Sequence, residues 1–301
     1  MSEIQKRQIR DLLSSYNFLG NLTIYSNNKN IWTYTTDNIS NTAYLINSVQ
    51  KALTAGLVIN EVKAGVLNLD DSVSEYYDKI PNSKNITLMN LLEMTSGLSQ
   101  NGNLGTHPYN SDQDNAKQLI KSIKYDLNKF NRWNYQDVNY VLLSHILEKA
   151  TNRSYENLFD DMYIKKLNLK NTYFMWSNNK NIAPHKCKFD MDETHGLLGA
   201  GSIAMSNNDL YKAISSLLNG TLLTKDEKAV IYAPGRNSTH YRGGLYNREY
   251  YYSSNGAGYG YYTFVRISKD GKNAVVLQTN SGKNYSKSRD NAMKIFNLIF
   301  R

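Results

Sequence analysis

The spacing of apolar positions changes character twice along the chain. Ile4, Ile9, Leu12 and Leu13 recur on a helical period, predicting a helix over residues 3–16. Residues 21–25 and 31–35 alternate apolar and polar positions around the turn-forming run Ser26-Asn27-Asn28-Lys29-Asn30, predicting a β-hairpin. From Ser48 the period becomes helical again, with Leu53, Leu57, Val58, Val62 and Val66 forming a stripe to about Gly65. Residues 87–94, 114–124, 139–150, 155–166 and 209–218 also read as helices, and the Gly/Asn/Ser/Pro-rich stretch 99–113 as loop. After Gly235 the pattern turns to β. Residues 243–246, 259–267 and 274–278 read as strands, with Lys269-Asp270-Gly271-Lys272 as a hairpin turn and 286–300 as a closing helix.

Strands at both ends with helices between them predict an α+β fold, an α/β sandwich. One antiparallel sheet is built from the N- and C-terminal segments and flanked by helices, and a mainly helical domain is inserted. The expected division is residues 1–45 with 235–301 for the sheet domain and 46–234 for the helical one, with the active site at their junction. Hydrophobic residues make up 41% of the 301, enough for a sizeable core. No internal repeat or low-complexity linker interrupts it.

Lys and Arg outnumber Asp and Glu by 35 to 26, a formal charge of +9. Such an excess favours anionic partners: nucleic acid, acidic lipid or a phosphate-bearing wall polymer. The basic residues are scattered, and the densest group, 283–289, is short, so solvated surface is the plainer reading. No nucleic-acid module and no phosphate loop is visible. The single cysteine, Cys187, excludes an internal disulfide. No apolar run approaches the roughly 18 residues a membrane helix needs. The first residues lack an apolar signal core, so the expected compartment is cytoplasmic, or extracytoplasmic and wall-facing if a leader was removed. Tyrosine, with 24 residues against 3 tryptophans, is read mainly as genome composition. His185 and Cys187 lack a partner pair of metal-ligand spacing, and His195 is a minor candidate near the site edge, so no metal and no cofactor is expected.

The chemistry lies in Ser48-Val49-Gln50-Lys51. Residues three apart share a helix face, so a hydroxyl and an amine meet there as nucleophile and proton acceptor. Ser-x-x-Lys occurs three times, at Ser26, Ser48 and Ser177, but Ser26 and Ser177 lie in Ser-Asn-Asn-Lys turns. Only Ser48 heads an apolar helix, whose amide end favours negative charge and offers half of an oxyanion hole. Apolar neighbours would desolvate Lys51 and lower its pKa, suiting it to a base.

Three ordered segments then resemble the serine β-lactamase and penicillin-binding-protein superfamily, in particular its class C β-lactamase-like branch. They are Ser48 to Lys51, Gly65-Val66-Leu67-Asn68-Leu69-Asp70-Asp71, and Leu91-Leu92-Glu93-Met94-Thr95-Ser96-Gly97-Leu98. The branch's second catalytic element is Tyr-x-Asn before a leucine-rich helix. The matching context here is Tyr135-Gln136-Asp137-Val138, with aspartate in place of asparagine; Tyr25-Ser26-Asn27 and Tyr155-Glu156-Asn157 are literal matches in the wrong context. An ionised Asp137 accepts hydrogen bonds but donates none. Pairing with Lys51 would keep the amine charged and move the base role toward Tyr135. Residues 197–206 resemble the family's Gly-rich segment and are expected to line the site edge.

The third element, a Lys/His-Thr/Ser-Gly triad on the strand beside the nucleophile, has no literal match near its place. Ser254-Asn255-Gly256 is the candidate; a second register puts Tyr252 at the cationic position and Ser254 at the glycine. Either way the cation that holds a substrate carboxylate is missing. The resemblance implies a serine hydrolase of the penicillin-recognising fold. Ser48 attacks an ester or amide carbonyl, Lys51 and Tyr135 move the proton, and Asp137, Ser254, Asn255 and Gly256 contact substrate. The oxyanion is held by the amides of Ser48 and of a residue just after 254–256. The expected substrate is a small molecule or a cell-wall polymer: a D-amino-acyl ester such as D-alanylated teichoic acid, a D-Ala peptide or a β-lactam. The alternative is a degenerate member that binds wall polymer or β-lactam with little turnover. A monomer is expected.

Overall fold

The computed structural model describes residues 1–101, 112–235 and 239–301. The chain opens with α1 (Glu3–Ser14), the hairpin β1 (Asn21–Ser26) and β2 (Lys29–Thr35), and the short β3 (Tyr44–Leu45). One 3₁₀ turn, Asn47–Val49, carries Ser48 into α2 (Gln50–Lys63). Next come α3 (Leu88–Leu92), β4 (Ser96–Gln100), α4 (Asp112–Ser122), β5 (Ile123–Phe130), α5 (Val138–Thr151) and α6 (Tyr155–Phe159). Strands β6 (Thr172–Phe174) and β7 (Ile203–Met205) precede α7 (Asn207–Leu218) and α8 (Lys225–Ile231). The chain ends with β8 (Tyr241–Arg242), β9 (Leu245–Asn247), β10 (Tyr251–Gly258), β11 (Tyr261–Ser268), β12 (Ala274–Thr279) and α9 (Tyr285–Phe300).

The main sheet is antiparallel, with order β2-β1-β12-β11-β10-β9-β8. Its two ends of chain meet where β1 pairs with β12, Leu22 opposite Leu277. The alternation of side chains along a strand divides the core in two. Leu22, Ile24, Val275 and Leu277 face α1 and α9, whose Ile9, Leu13, Ile295 and Phe296 complete one layer. Ala274 and Val276 point the other way, into a larger core shared with α2, α5 and α7. Each large aliphatic side chain buried in this way stabilises the fold by roughly 1.5–3 kcal/mol. Helix α1 starts with a capping box: the Ser2 hydroxyl accepts from the Gln5 amide at 3.2 Å and the Gln5 side chain accepts from the Ser2 amide at 2.9 Å.

Helix α2 is buried on every side from Gln50 to Ile59, as befits a helix at the centre of a large core. Its polar groups are paired. Gln50 Oε1 accepts from the Ser202 and Ile203 amides at 2.6 and 3.1 Å, and the Thr54 hydroxyl donates to the Gly199 carbonyl at 2.6 Å. Tyrosines staple the helix from outside. Tyr163 donates to the Leu53 carbonyl at 2.7 Å and Tyr232 to the Ala52 carbonyl at 3.0 Å. A tyrosine offers an apolar body and a polar tip, so it fills a core and still satisfies a backbone carbonyl. Much of the tyrosine content is therefore structural, a use that composition did not reveal.

Several expected boundaries move. Gly243-Gly244 is the turn between β8 and β9 rather than a strand, since both residues take positive φ, +60° and +80°. Tyr259-Gly260 is likewise a turn, with φ of +52° and +79°, and the strand expected at 259 begins at Tyr261. Strand β10 was not among the expected strands: Ser253-Ser254-Asn255-Gly256-Ala257-Gly258 has low strand propensity. The helix expected over 114–124 ends at Ser122 and runs into β5, which pairs with β4. Most of the loop expected over 99–113 lies outside the described residues.

Candidate active site

Ser48 enters the site from a constrained backbone. Asn47, just before it, has φ of +48°, in the left-handed region that asparagine tolerates. Its side chain donates to the Tyr261 carbonyl at 3.1 Å, anchoring the turn to the main sheet. Strand β10 then passes so close that there is no room for a side chain at two positions. A Cβ on Gly256 would lie 2.1 Å from the Ile46 carbonyl oxygen, and one on Gly258 would lie 2.6 Å from Asn47 Oδ1. The small residues that obscured β10 as a strand are what this approach requires.

A cleft of about 300 Å³ opens over Ser48 and brings together Ser48, Tyr135, Asp137, Ser254, Asn255 and Ala257. Lys51 lies beneath its floor, fully buried. Its Nζ donates to Ser48 Oγ at 2.8 Å and to the Ala200 carbonyl at 3.1 Å, and pairs with Asp137 Oδ1 at 2.7 Å. Burial alone would push the Lys51 pKa down, but the Asp137 carboxylate and the Tyr135 hydroxyl outweigh it and the net shift is upward. The lowered pKa expected from desolvation is thus reversed by the aspartate. Lys51 rests as an ammonium.

Asp137 is free to do this because it heads α5 without capping it: no side-chain cap hydrogen bond forms there. Tyr135 is fixed from both sides. Its ring meets Tyr241 edge-on at 6.0 Å and Trp133 at 6.4 Å, and Lys51 Nζ sits 5.1 Å from its centroid. The turn carrying Tyr135 hangs on the segment after α3. The Asn134 amide donates to the Met94 carbonyl at 2.9 Å, and the Ser96 hydroxyl donates to Asn139 at 2.6 Å. The Thr-Ser-Gly segment thus positions the turn that bears Tyr135 and Asp137.

On the opposite wall Ser254 is buried and its hydroxyl donates to the Gly244 carbonyl at 3.2 Å, while Asn255 Oδ1 is buried without a partner. Tyr252 shares the Ser254 side of β10 but packs in the core against Tyr232, 6.2 Å between centroids, and does not line the cleft. Gly256 is the residue pressed on Ile46. His195 is apart from this cleft, stacked on Trp176 at 3.6 Å. The Gly-rich segment lies behind α2, where Gly199 and Ala200 supply carbonyls to Thr54 and Lys51. Tyr155 is a core residue whose hydroxyl is 2.7 Å from that of Thr54.

Other contributors had no sequence signal. Tyr241 and Tyr246 wall the cleft; burial pushes the Tyr241 hydroxyl well up and that of Tyr246 to about 12, so both are neutral. Strand β8 is held against the segment after α3 by a partly buried ion pair, with Arg242 Nε donating to Glu93 Oε1 at 2.8 Å.

A serine with a lysine one turn on, at the head of the central helix between an antiparallel sheet and a helical region, defines a penicillin-recognising serine hydrolase fold. The chain belongs to the Beta-lactamase family, whose model matches residues 7–298, and so to the serine β-lactamase and penicillin-binding-protein superfamily of hydrolases. It is 29% identical over 273 residues to the putative penicillin-binding protein PbpX of Bacillus subtilis (strain 168), covering 86% of this chain and 67% of that protein. It is 27% identical over 236 residues to the teichoic acid D-alanine hydrolase of Staphylococcus aureus, covering 70% of this chain and 57% of that protein. The crystal structure of FmtA from Staphylococcus aureus superposes with a TM-score of 0.85 at 25% identity, covering 98% of this chain and 90% of that one. The chain thus spans about two thirds or less of the length of these two curated relatives.

Proposed function

We propose that the chain hydrolyses an ester or amide of cell-wall type through an acyl-enzyme on Ser48. One observation carries this reading: Ser48 Oγ accepts a 2.8 Å hydrogen bond from a buried Lys51 that is itself ion-paired to Asp137, in the cleft Tyr135 lines. Because Lys51 is charged at rest, the base is Tyr135 as its phenolate, held beside the ammonium; it takes the Ser48 proton and becomes a phenol as Oγ attacks the carbonyl. The Ser48 and Ala257 amides hold the oxyanion. The Tyr135 phenol gives that proton to the departing alcohol or amine, then draws one from the water that attacks the acyl-enzyme and returns it to Ser48 Oγ as the acid leaves. Ser254, Asn255 and Ala257 form the wall along which substrate lies, and Gly256 lets that strand press against Ile46.

The substrate that fits best is a D-alanyl ester on a wall polymer. No cationic side chain occupies the Ser254 position, so nothing there holds the free carboxylate of a D-Ala peptide or a β-lactam. The likeness to a protein named teichoic acid D-alanine hydrolase and the net charge of +9 support the same choice. The test is labelling with a fluorophosphonate and a fluorescent penicillin, together with release of D-alanine from a D-alanylated polymer, using Ser48→Ala as control. Ser48-dependent adducts and D-alanine release are expected. Absence of both would sink the enzyme reading.

One observation favours a second reading, binding without useful turnover. Lys51 is held as an ammonium beside Asp137, so the resting amine has no lone pair for the serine proton. A stable Ser48 adduct that is never hydrolysed is its signature.

A further inference from the structure

We propose that Arg248, Arg266 and Arg289 form an anion subsite beside the nucleophile that binds a phosphodiester of the polymer carrying the ester. The polymer as source rests on the function proposed above; the anion site does not.

A second cleft, of about 640 Å³, is lined by these three arginines. Tyr246, Asn255 and Tyr285 line both this cleft and the one over Ser48, so a single extended ligand reaches both. The arginines come from separate elements: Arg248 follows β9, Arg266 lies on β11 opposite Ser253, and Arg289 lies on α9. Asp290 is the carboxylate in the lining and is bound to its neighbour Arg289 at 3.0 Å. Three guanidinium charges against one carboxylate leave two positive charges uncompensated.

Arg266 is the telling residue. It is buried, yet no carboxylate pairs with it among the described residues. A buried charge without a counterion is costly, and burial together with its arginine neighbours pushes its pKa down to about 10. Nη1 donates to the Val265 and Ser254 carbonyls at 2.9 and 3.3 Å, and Nη2 to the Arg289 carbonyl at 3.3 Å. Three of the five guanidinium donors are thus used, leaving Nε–H and one Nη2–H for a ligand. The Ser254 contact also ties the subsite to the strand forming the wall of the Ser48 cleft. The planar fork of arginine matches phosphate oxygens, and several forks around one cleft favour a phosphodiester over a neutral sugar or peptide. A phosphodiester repeat next to the ester supplies the anchoring charge that the Ser254 position lacks.

The test is calorimetric titration with a synthetic glycerol-phosphate trimer that bears no ester. The proteins are the wild type, Ser48→Ala, Arg248→Gln/Arg289→Gln, and Lys84→Gln/Lys170→Gln, which loses the same charge elsewhere on the surface. All four arginine and lysine targets are exposed, so folding is preserved. Wild type, Ser48→Ala and the lysine variant are expected to bind alike, and the arginine variant at least about tenfold more weakly. Equal binding by the arginine variant, or an equal loss in the lysine variant, overturns the subsite. Displacement of the trimer by inorganic phosphate at comparable concentration overturns the polymer as its source. Because trimer binding does not need Ser48, a failure of the nucleophile reading shows as absent adducts with trimer binding retained.

Discussion

Lys51 and Asp137 form an ion pair of 2.7 Å whose cationic end is wholly buried while the carboxylate stays partly exposed. That asymmetry decides the protonation of the site. Desolvation acts fully on the amine and would neutralise it, but the Asp137 carboxylate and the Tyr135 hydroxyl beside it outweigh that and the net shift is upward. An asparagine at the same place offers no negative charge and would remove the largest of the influences that raise the Lys51 pKa. The aspartate in the Tyr135-Gln136-Asp137 element is therefore an electrostatic change at the cation that hydrogen-bonds Ser48.

Asp137→Asn is expected to lower the Lys51 pKa, read by NMR of isotope-labelled lysine. It should also cost about 1–3 kcal/mol near neutral pH, less than a fully buried pair because Asp137 is partly exposed. The folded pKa of Lys51 lies above its ordinary value of 10.5, so this stabilisation is complete below that pH and is lost as pH rises through the folded pKa. The variant and wild type should therefore converge in stability at alkaline pH. An unchanged lysine titration would contradict the electrostatic account.

Gly256→Ala places a methyl 2.1 Å from the Ile46 carbonyl, on backbone that cannot move without displacing Asn47 and Ser48. A loss of about 3 kcal/mol or more is expected in thermal unfolding, with loss of Ser48 labelling in whatever protein remains folded. Gly258→Ala meets only the tip of the Asn47 side chain, at 2.6 Å, and is expected to be the milder change. The reverse ranking would show that β10 has freedom this packing denies.

Sequence periodicity reaches some of this architecture and not the rest, for physical reasons. The hairpin, α1 and α9 each have one buried face, so their apolar spacing is visible. Helix α2 was legible as an apolar run headed by Ser48, and Ser48, Lys51, Tyr135 and Asp137 were legible through motif order. The Asp137–Lys51 pair followed from an aspartate where an amide was expected. Strand β10 was not legible because close approach to Ile46 and Asn47 selects Gly256 and Gly258 against strand propensity. The Ala200 carbonyl under Lys51 and the Arg242–Glu93 pair join residues 149 apart in sequence, and such contacts leave no local pattern. Tyrosines such as Tyr163 and Tyr232 were uninformative as composition, since their role lies in which carbonyl each hydroxyl reaches.

Those tyrosines make the fold sensitive to alkali. Burial pushes the hydroxyls of Tyr163, Tyr232 and Tyr241 well above 10.0 and that of Tyr155 to about 12. Between pH 10 and 12 these groups lose their protons only in the unfolded chain, so stability falls there; below pH 10 their contribution is complete. Each such group removes ~1.4 kcal/mol per pH unit. Tyrosinate absorbance of these groups and loss of fluorescence-detected structure should rise together in one transition. Smooth titration of all tyrosines in a still-folded protein would be the contrary result.

The absence of a cation opposite the nucleophile is open to direct reversal. Ser254 sits on β10 in the wall of the cleft, across from Tyr135 and Asp137, and its hydroxyl donates only to the Gly244 carbonyl. Ser254→Lys puts an ammonium on that wall, where the partly exposed Asp137 offers it a partner while the cleft is empty. A penicillin carries a free carboxylate and a D-alanyl ester does not. The added charge should therefore raise the rate of penicillin acylation about tenfold, roughly 1.4 kcal/mol of charge-assisted contact, without a matching gain for the ester. Comparison of kcat/KM for a D-alanyl ester with the second-order acylation rate for a penicillin gives the ratio directly. A ratio that does not move toward penicillin would mean that residue 254 does not face the substrate carboxylate, and would shift attention to Asn255, whose buried Oδ1 has no partner in the same wall.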